Sequence, residues 1–233
     1  MHTLRSLTMR LLPLLTLLLV AACGRPLTDN ESAFALLVHG PTLETASVHL
    51  HDGLAPAPPR TVPVRPAVAC RDRIWPRPTG PTYQGVTSAM AIFQSVHFHS
   101  RWYAPDFLAD WPDSLYLPDA MLLAHELVHV WQWQNRAITG YHPLKAALEH
   151  VGRPDPYLFD TATSGAFLDY GYEQQAAMME ELVCCQALAP TAPRTARLRA
   201  MLAPYFALPP AGQPLTNEVW LPWAEADLTG ICD

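Results

Sequence analysis

MLLAHELVHVWQWQNR, residues 121–136, is the stretch from which the rest of the chain is read. It contains no Pro or Gly, and Leu, Met, Ala, Glu and Gln dominate it, so the spacing predicts a helix. Within it, His125, Glu126 and His129 form H-E-x-x-H. Positions i and i+4 share one helix face, so the two imidazoles project side by side. At that spacing each can give a nitrogen to one zinc ion, at about 2.0–2.1 Å. Glu126, next to the first His, is placed to act as general base on a water activated by the metal.

Five residues with three fixed positions recur by chance. The competing reading is a partly buried helix whose histidines only satisfy hydrogen bonds. The flanking residues weigh against it: Met121, Leu122, Leu123, Ala124, Leu127, Val128 and Val130 predict a buried helix. Burying two His and a Glu without a partner costs several kcal/mol, and a metal removes that cost.

At 233 residues, half of them apolar, the chain suits one domain of about 150 residues plus flanking segments. Twenty-four Pro is about twice the usual frequency of roughly 5%. They concentrate outside the middle, which predicts irregular flanks. The net charge is −6 with no basic run, which argues against a nucleic-acid partner.

Residues 1–10 carry Arg5 and Arg10, and LLPLLTLLLV at 11–20 is too short to span a bilayer. Val20-Ala21-Ala22-Cys23 follows and resembles the lipobox of bacterial lipoproteins. That resemblance implies a signal peptide over 1–22, acylation of Cys23 and membrane attachment through lipid. Gly24 rather than Asp after the Cys points, by resemblance to enterobacterial sorting, to the outer membrane, facing the periplasm. An ordinary secretory signal is the alternative. Fifteen basic residues less Arg5 and Arg10 leave 13 against 21 acidic ones, a mature net charge of −8.

Residues 23–82 are expected to form a polar tether, over 24–33, and a Pro-rich arm. In that segment FALLVH, 34–39, is a strand or a single helical turn. Eight Pro in 54–82 exclude a continuous helix or central strand there. The main domain is placed at 83–190 and a Pro-rich tail at 191–233. Residues 91–102 are expected as one strand, with Val96 and Phe98 on one face and His97, His99 and Arg101 on the other. An H-x-H metal site at His97 and His99 competes with a solvated strand face. Asp119 is the expected N-cap of the motif helix and Gly140 marks its end. Short helices are expected over 143–151 and 192–203. The segment 152–172 is expected as a loop crossing the metal, and YEQQAAMMEELVCCQALA, 172–189, as a second long helix. The fold class is α+β, mainly helical, with a small sheet and two motif-bearing helices.

A catalytic zinc needs a third protein ligand. The metzincin continuation would put Gly and His where Gln132 and Asn135 stand, which excludes that class. Glu149, Glu173, Glu180 and Glu181 remain as candidates. Glu173 opens the second helix beside small residues that permit close approach, but it also suits a carboxylate stabilised by the helix dipole. Glu180 lies two turns on and suits a hydrogen bond to a ligating His.

The pair HELVHVWQWQ and DYGYEQQAAMMEEL, whose Glu173 lies 44 residues past His129, resembles a family of zincin-like proteins associated with Rhs, Vgr and other secretion genes. These carry an H-E-hydrophobic-x-H-V-W-Q helix and a later E-Q-Q-A helix. The match spans about residues 90–187. The resemblance implies a zincin-like core with zinc held by His125, His129 and Glu173, and Glu126 as the catalytic base. The resemblance names a metallopeptidase fold rather than a particular substrate; a peptide or protein substrate is expected from the metallopeptidase reading, with a secretion-system or envelope protein as a candidate partner. The lipobox, the Pro-rich arm and the cysteines lie outside the family pattern. The function expected is a lipid-anchored zinc metallopeptidase, and the alternative is a non-catalytic binding or scaffold lipoprotein stabilised by zinc. Tyr157, Tyr170 and Tyr172 are candidate oxyanion donors, Tyr172 the least favoured because it abuts the ligand. Trp131 and Trp133 read as packing residues.

Cys70, Cys184, Cys185 and Cys232 remain in the mature chain, an even number that suits disulfides in an oxidising periplasm. Three pairings exist. A bond between Cys184 and Cys185 is strained inside a helix. Adjacent helical residues point about 100° apart, so each can instead pin a different Pro-rich flank, one through Cys70 and one through Cys232.

Overall fold

A computed structural model describes residues 24–55, 57–151, 155–160 and 165–233. The signal segment and Cys23 lie outside the described residues. The chain opens with β1 (Arg25–Pro26) and α1 (Asp29–His39). Here the structure departs from the expected tether and short apolar run. Thr28 and Glu31 form a capping box, which starts the helix within the polar stretch. Glu31 is fully buried yet fully used: it takes both ends of the Arg25 guanidinium and the backbone N–H groups of Thr28 and Phe107.

Next come β2 (His49–Asp52), β3 (Arg60–Pro63), the single-turn α2 (Cys70–Arg73), β4 (Thr82–Gly85), β5 (Ala89–Ile92) and β6 (Ser95–Phe98). Strands β1-β2-β6-β5 form one sheet, with β2 parallel to β6 and the other pairs antiparallel. Elements before residue 83 therefore pack into the same core as those after it. The Pro-rich arm is more ordered than its composition suggests, because β3 and β4 pair antiparallel and enclose α2.

The single strand expected over 91–102 is instead a hairpin. Phe93, in the left-handed region at φ 58°, turns the chain between β5 and β6, and its ring rests on Trp133. Within β6 the expected alternation holds: Val96 and Phe98 are buried and His97 is not.

After β7 (Ser114–Tyr116) comes the motif helix α3 (Leu117–Gln134). It starts ahead of the expected cap: Pro118 occupies the first turn, where its missing N–H costs nothing, and Asp119 lies inside the helix. The helix is buried on nearly every side and forms the centre of the core. Asn135 stops it by donating to Trp131 O, and α4 (Arg136–Thr139) closes on Gly140 at φ 64°. Then follow α5 (Pro143–Glu149), α6 (Tyr172–Leu188), α7 (Pro193–Leu202) and β8 (Glu218–Trp220), which pairs parallel with β7. Helix α6 packs along α3 through buried Ala176 and other small or flexible residues. The fold is α+β, with helix predominating. Among the described residues, no helix is long and apolar enough to cross a membrane.

The disulfides join Cys70 to Cys184 and Cys185 to Cys232. Consecutive residues of α6 thus hold the Pro-rich arm and the tail, which also meet each other where Arg73 donates to Asp227 O and Thr229 O.

Candidate metal centre

Helices α3 and α6 bring His125, His129 and Glu173 together, all at least nine-tenths buried, with one donor atom from each within 4.8 Å of the others. Glu173 Oε2 stands 3.4 Å from His125 Nε2 and 3.3 Å from His129 Nε2. Ligands about 2.1 Å from a shared tetrahedral centre stand about 3.4 Å apart, so the spacing fits a common ion.

Each of the three has its own partner on the far side. His125 Nδ1 is 3.2 Å from Glu180 Oε2. His129 Nδ1 is 2.9 Å from Gln132 Oε1, whose orientation is set because Gln132 Nε2 donates to Gln175 Oε1 and to Tyr172 O. Glu173 Oε1 accepts from His150 Nε2 at 3.0 Å. Both imidazoles therefore carry Nδ1–H toward an acceptor and turn Nε2 inward, and Glu173 is left with Oε2 to offer. Partners of this kind orient ligands and fix the tautomer. The glutamines of the two sequence motifs, Gln132 and Gln175, meet in this network.

The electrostatics carry the same pattern. Burial alone would lower His125, but its bonds to Glu173 and Glu180 raise it to about 10. His129 is raised against burial by the Glu173 charge, and Glu173, despite its own burial, is held well below the usual carboxylate range by the three imidazoles. The metal-free protein thus keeps the cluster neutralised with protons that a divalent ion would displace. Glu126 is buried beside the pair, and its Oε2 has no hydrogen-bond partner. Burial pushes its carboxyl up. A buried carboxylate oxygen without a partner is costly and marks a place where an ion, a water or a substrate belongs. His125, His129 and Glu173 can hold a metal ion.

Two tyrosines wall the site. The Tyr157 ring is 5.8 Å from that of His125 and 5.7 Å from that of His150, and Tyr141 stacks on His129 at 6.0 Å. Tyr170, the other expected candidate, packs against the core and beside Gly165 instead. Tyr172 donates its hydroxyl to Gly140 O and so closes the turn after α4. Trp131 is buried against Phe206, while Trp133 lies under Phe93 and Arg136 at the surface.

The remaining glutamate candidates have other work. Glu149 accepts the N–H groups of Tyr172 and Glu173 and so caps α6. Glu181 accepts both bonds from Cys70 N and pairs with Arg194. At the H-x-H pair, His97 stacks on His51 at 4.4 Å and His99 Nδ1 accepts from Arg101 N. Among the described residues, neither joins a group of three metal donors. His150, Tyr141 and Gln132 were not foreseen as site residues. Only Gln132 carried a signal, as the Gln of the V-W-Q motif.

No family model matches the chain, and no curated protein does. Among solved structures, it is similar to the effector domain of Pseudomonas aeruginosa VgrG2b. The two share 21% identity over 79% of this chain and 85% of that one, with a TM-score of 0.49.

Proposed function

We propose that this protein is a zinc-dependent metallopeptidase of the zincin type, exported and anchored by lipid at Cys23 to the outer membrane. The observation that supports the reading best is the partnerless Oε2 of Glu126, buried next to three donors whose outer atoms are all fixed. A site built only to stabilise the fold has no use for that oxygen. The two disulfides suit an oxidising compartment and so an exported chain. The motif resemblance supports zinc and a secretion-system or envelope partner; the peptide substrate follows from the metallopeptidase reading.

His125, His129 and Glu173 would hold the ion, which supplies Lewis acidity that acidifies water and polarises a carbonyl. Glu126 would accept the proton of the attacking water and return it to the leaving amine. Burial raises Tyr141 and Tyr157, so both hydroxyls stay protonated and can donate to a developing oxyanion.

The test is metal analysis together with digestion of a peptide library by wild type and Glu126→Gln. Wild type is expected to retain about one zinc and to cleave; the variant, to retain the zinc and lose about 10²–10⁴-fold in rate. Equal cleavage by both, or none by the zinc-loaded wild type, defeats the catalytic reading. In the latter case the zinc-stabilised scaffold takes its place.

A further inference from the structure

We infer that Arg71, carried by the disulfide-tethered arm, is a positioning residue of the metal centre that fixes Glu180 and, through it, His125. The inference rests on the metal reading above, and it adds a third chain segment to a site otherwise built by α3 and α6.

Glu180 Oε2 is the oxygen that faces His125 Nδ1, and the same atom accepts from Arg71 Nη1 at 3.1 Å. One carboxylate oxygen thus joins a ligand of the centre to a residue of α2. Next to it, Cys70 N donates to both oxygens of Glu181, at 2.9 and 2.8 Å, and Cys70 Sγ is bonded to Cys184. Consecutive arm residues, 70 and 71, therefore grip consecutive α6 residues, 181 and 180. The bond to Cys184, one turn further along α6, holds that grip in place.

Arg71 reaches the site by a second route. Its guanidinium lies 5.4 Å over the Tyr157 ring, which in turn touches His125 and His150. His150 orients Glu173. The arm thereby supports the outer partners of two of the three ligands. A helix of four residues has little stability by itself, since a first turn is costly to nucleate. α2 is held by Arg65 on Asp72, by the bonds of Arg73 to the tail carbonyls of Asp227 and Thr229, and by its attachment to α6, whose covalent part is Cys70–Cys184.

The alternative is a surface ion pair that happens to lie near the centre, which would contribute about 0–1 kcal/mol to stability and nothing to the metal. The two are separated by metal affinity. Zinc binding is measured by competition with a chromophoric chelator, on folded protein with its disulfides formed. Removing a ligand's orienting partner typically weakens metal binding 10–100-fold. Arg71→Ala is expected to weaken zinc about tenfold or more, and Arg71→Lys to recover part of the loss. Cys70→Ser with Cys184→Ser is expected to show a loss of similar size. Adding Arg71→Ala to that pair is expected to cost nothing further, because both act through the same contact. Cys185→Ser with Cys232→Ser, which opens the tail's disulfide and keeps Cys70–Cys184, should cost much less zinc affinity than the Cys70/Cys184 pair, since, among the described residues, the tail's hydrogen bonds to α2 are those of Arg73 to Asp227 O and Thr229 O.

Unchanged affinity in Arg71→Ala overturns the inference, as do additive losses or an equal loss on freeing the tail. Should the Cys70/Cys184 variant not fold, the two Arg71 variants decide the matter alone. A wild-type protein that takes up no zinc refutes the centre itself, and the role of Arg71 with it. A wild type that binds, beside an Arg71→Ala that binds equally, refutes only the role of the arm.

Discussion

His39 makes the stability of this protein depend on pH in a way the fold predicts. It ends α1, is fully buried, and has Nε2 3.1 Å from Ala124 O, the carbonyl just before His125 on the motif helix. Its ring meets Phe206 edge-on, and Nδ1 has no partner. Burial holds its pKa down at about 4, against 6.5 for an exposed imidazole. Between those values the unfolded chain binds a proton that the folded one refuses. Stability therefore rises with pH across the window, and it is lost as pH falls from 6.5 through 4. At 1.36 kcal/mol per unit, the full span amounts to about 3 kcal/mol. His39→Gln keeps an N–H for Ala124 O and cannot titrate. Urea unfolding of both proteins at pH 7, 6, 5 and 4, with chelator present to keep them metal-free, gives the difference in stability at each pH. Groups common to both, Glu173 and Glu180 among them, cancel. The wild type should lose about 3 kcal/mol relative to the variant on going from pH 7 to pH 4. Parallel stability curves for the two proteins would refute the reasoning, because His39 would then titrate alike in both states.

Three further outcomes are expected. Chelation should lower the melting temperature, since a ligand at a hundred times its Kd stabilises by about 2.7 kcal/mol; an unmoved transition in a thermal scan with EDTA against added zinc counts against a metal site. Gln132→Ala removes the acceptor that fixes His129 and should weaken zinc about 10–100-fold in a chelator competition, with a far-UV spectrum like that of wild type. Glu149→Ala uncaps the first two residues of α6 and should destabilise the metal-free protein by about 1–2 kcal/mol in chemical denaturation; no change would mean the cap is idle.

What could be read in advance follows the regularity of the chain. The two long helices are unbroken runs of good helix formers, and the fixed 3.6 period carries their side chains with them. His125 and His129 therefore had to share a face, and Cys184 and Cys185 had to point apart. Glu173 could be singled out from Glu149, Glu180 and Glu181 only through the resemblance, because spacing within one helix does not say which turn meets its neighbour. The partners left unseen come from other segments. His150 follows a short helix, Tyr141 follows a left-handed Gly, and Arg71 sits among prolines where no period exists to place it. In segment 24–39 the polar composition hides a capping box and a buried Arg25–Glu31 pair, so the helix there is not legible from composition. At 91–102 the alternation was right for β6, but nothing in the composition marks Phe93 as the turn.

The neighbouring bonds that leave consecutive residues of α6 also bear on how the molecule withstands a cut in its backbone. One bond closes a loop of chain from 70 to 184, the other from 185 to 232. A single backbone cut inside either loop leaves the fragments linked, so a nicked copy sheds no piece. Damage by a neighbouring peptidase would then show on a gel only after a thiol reductant is added.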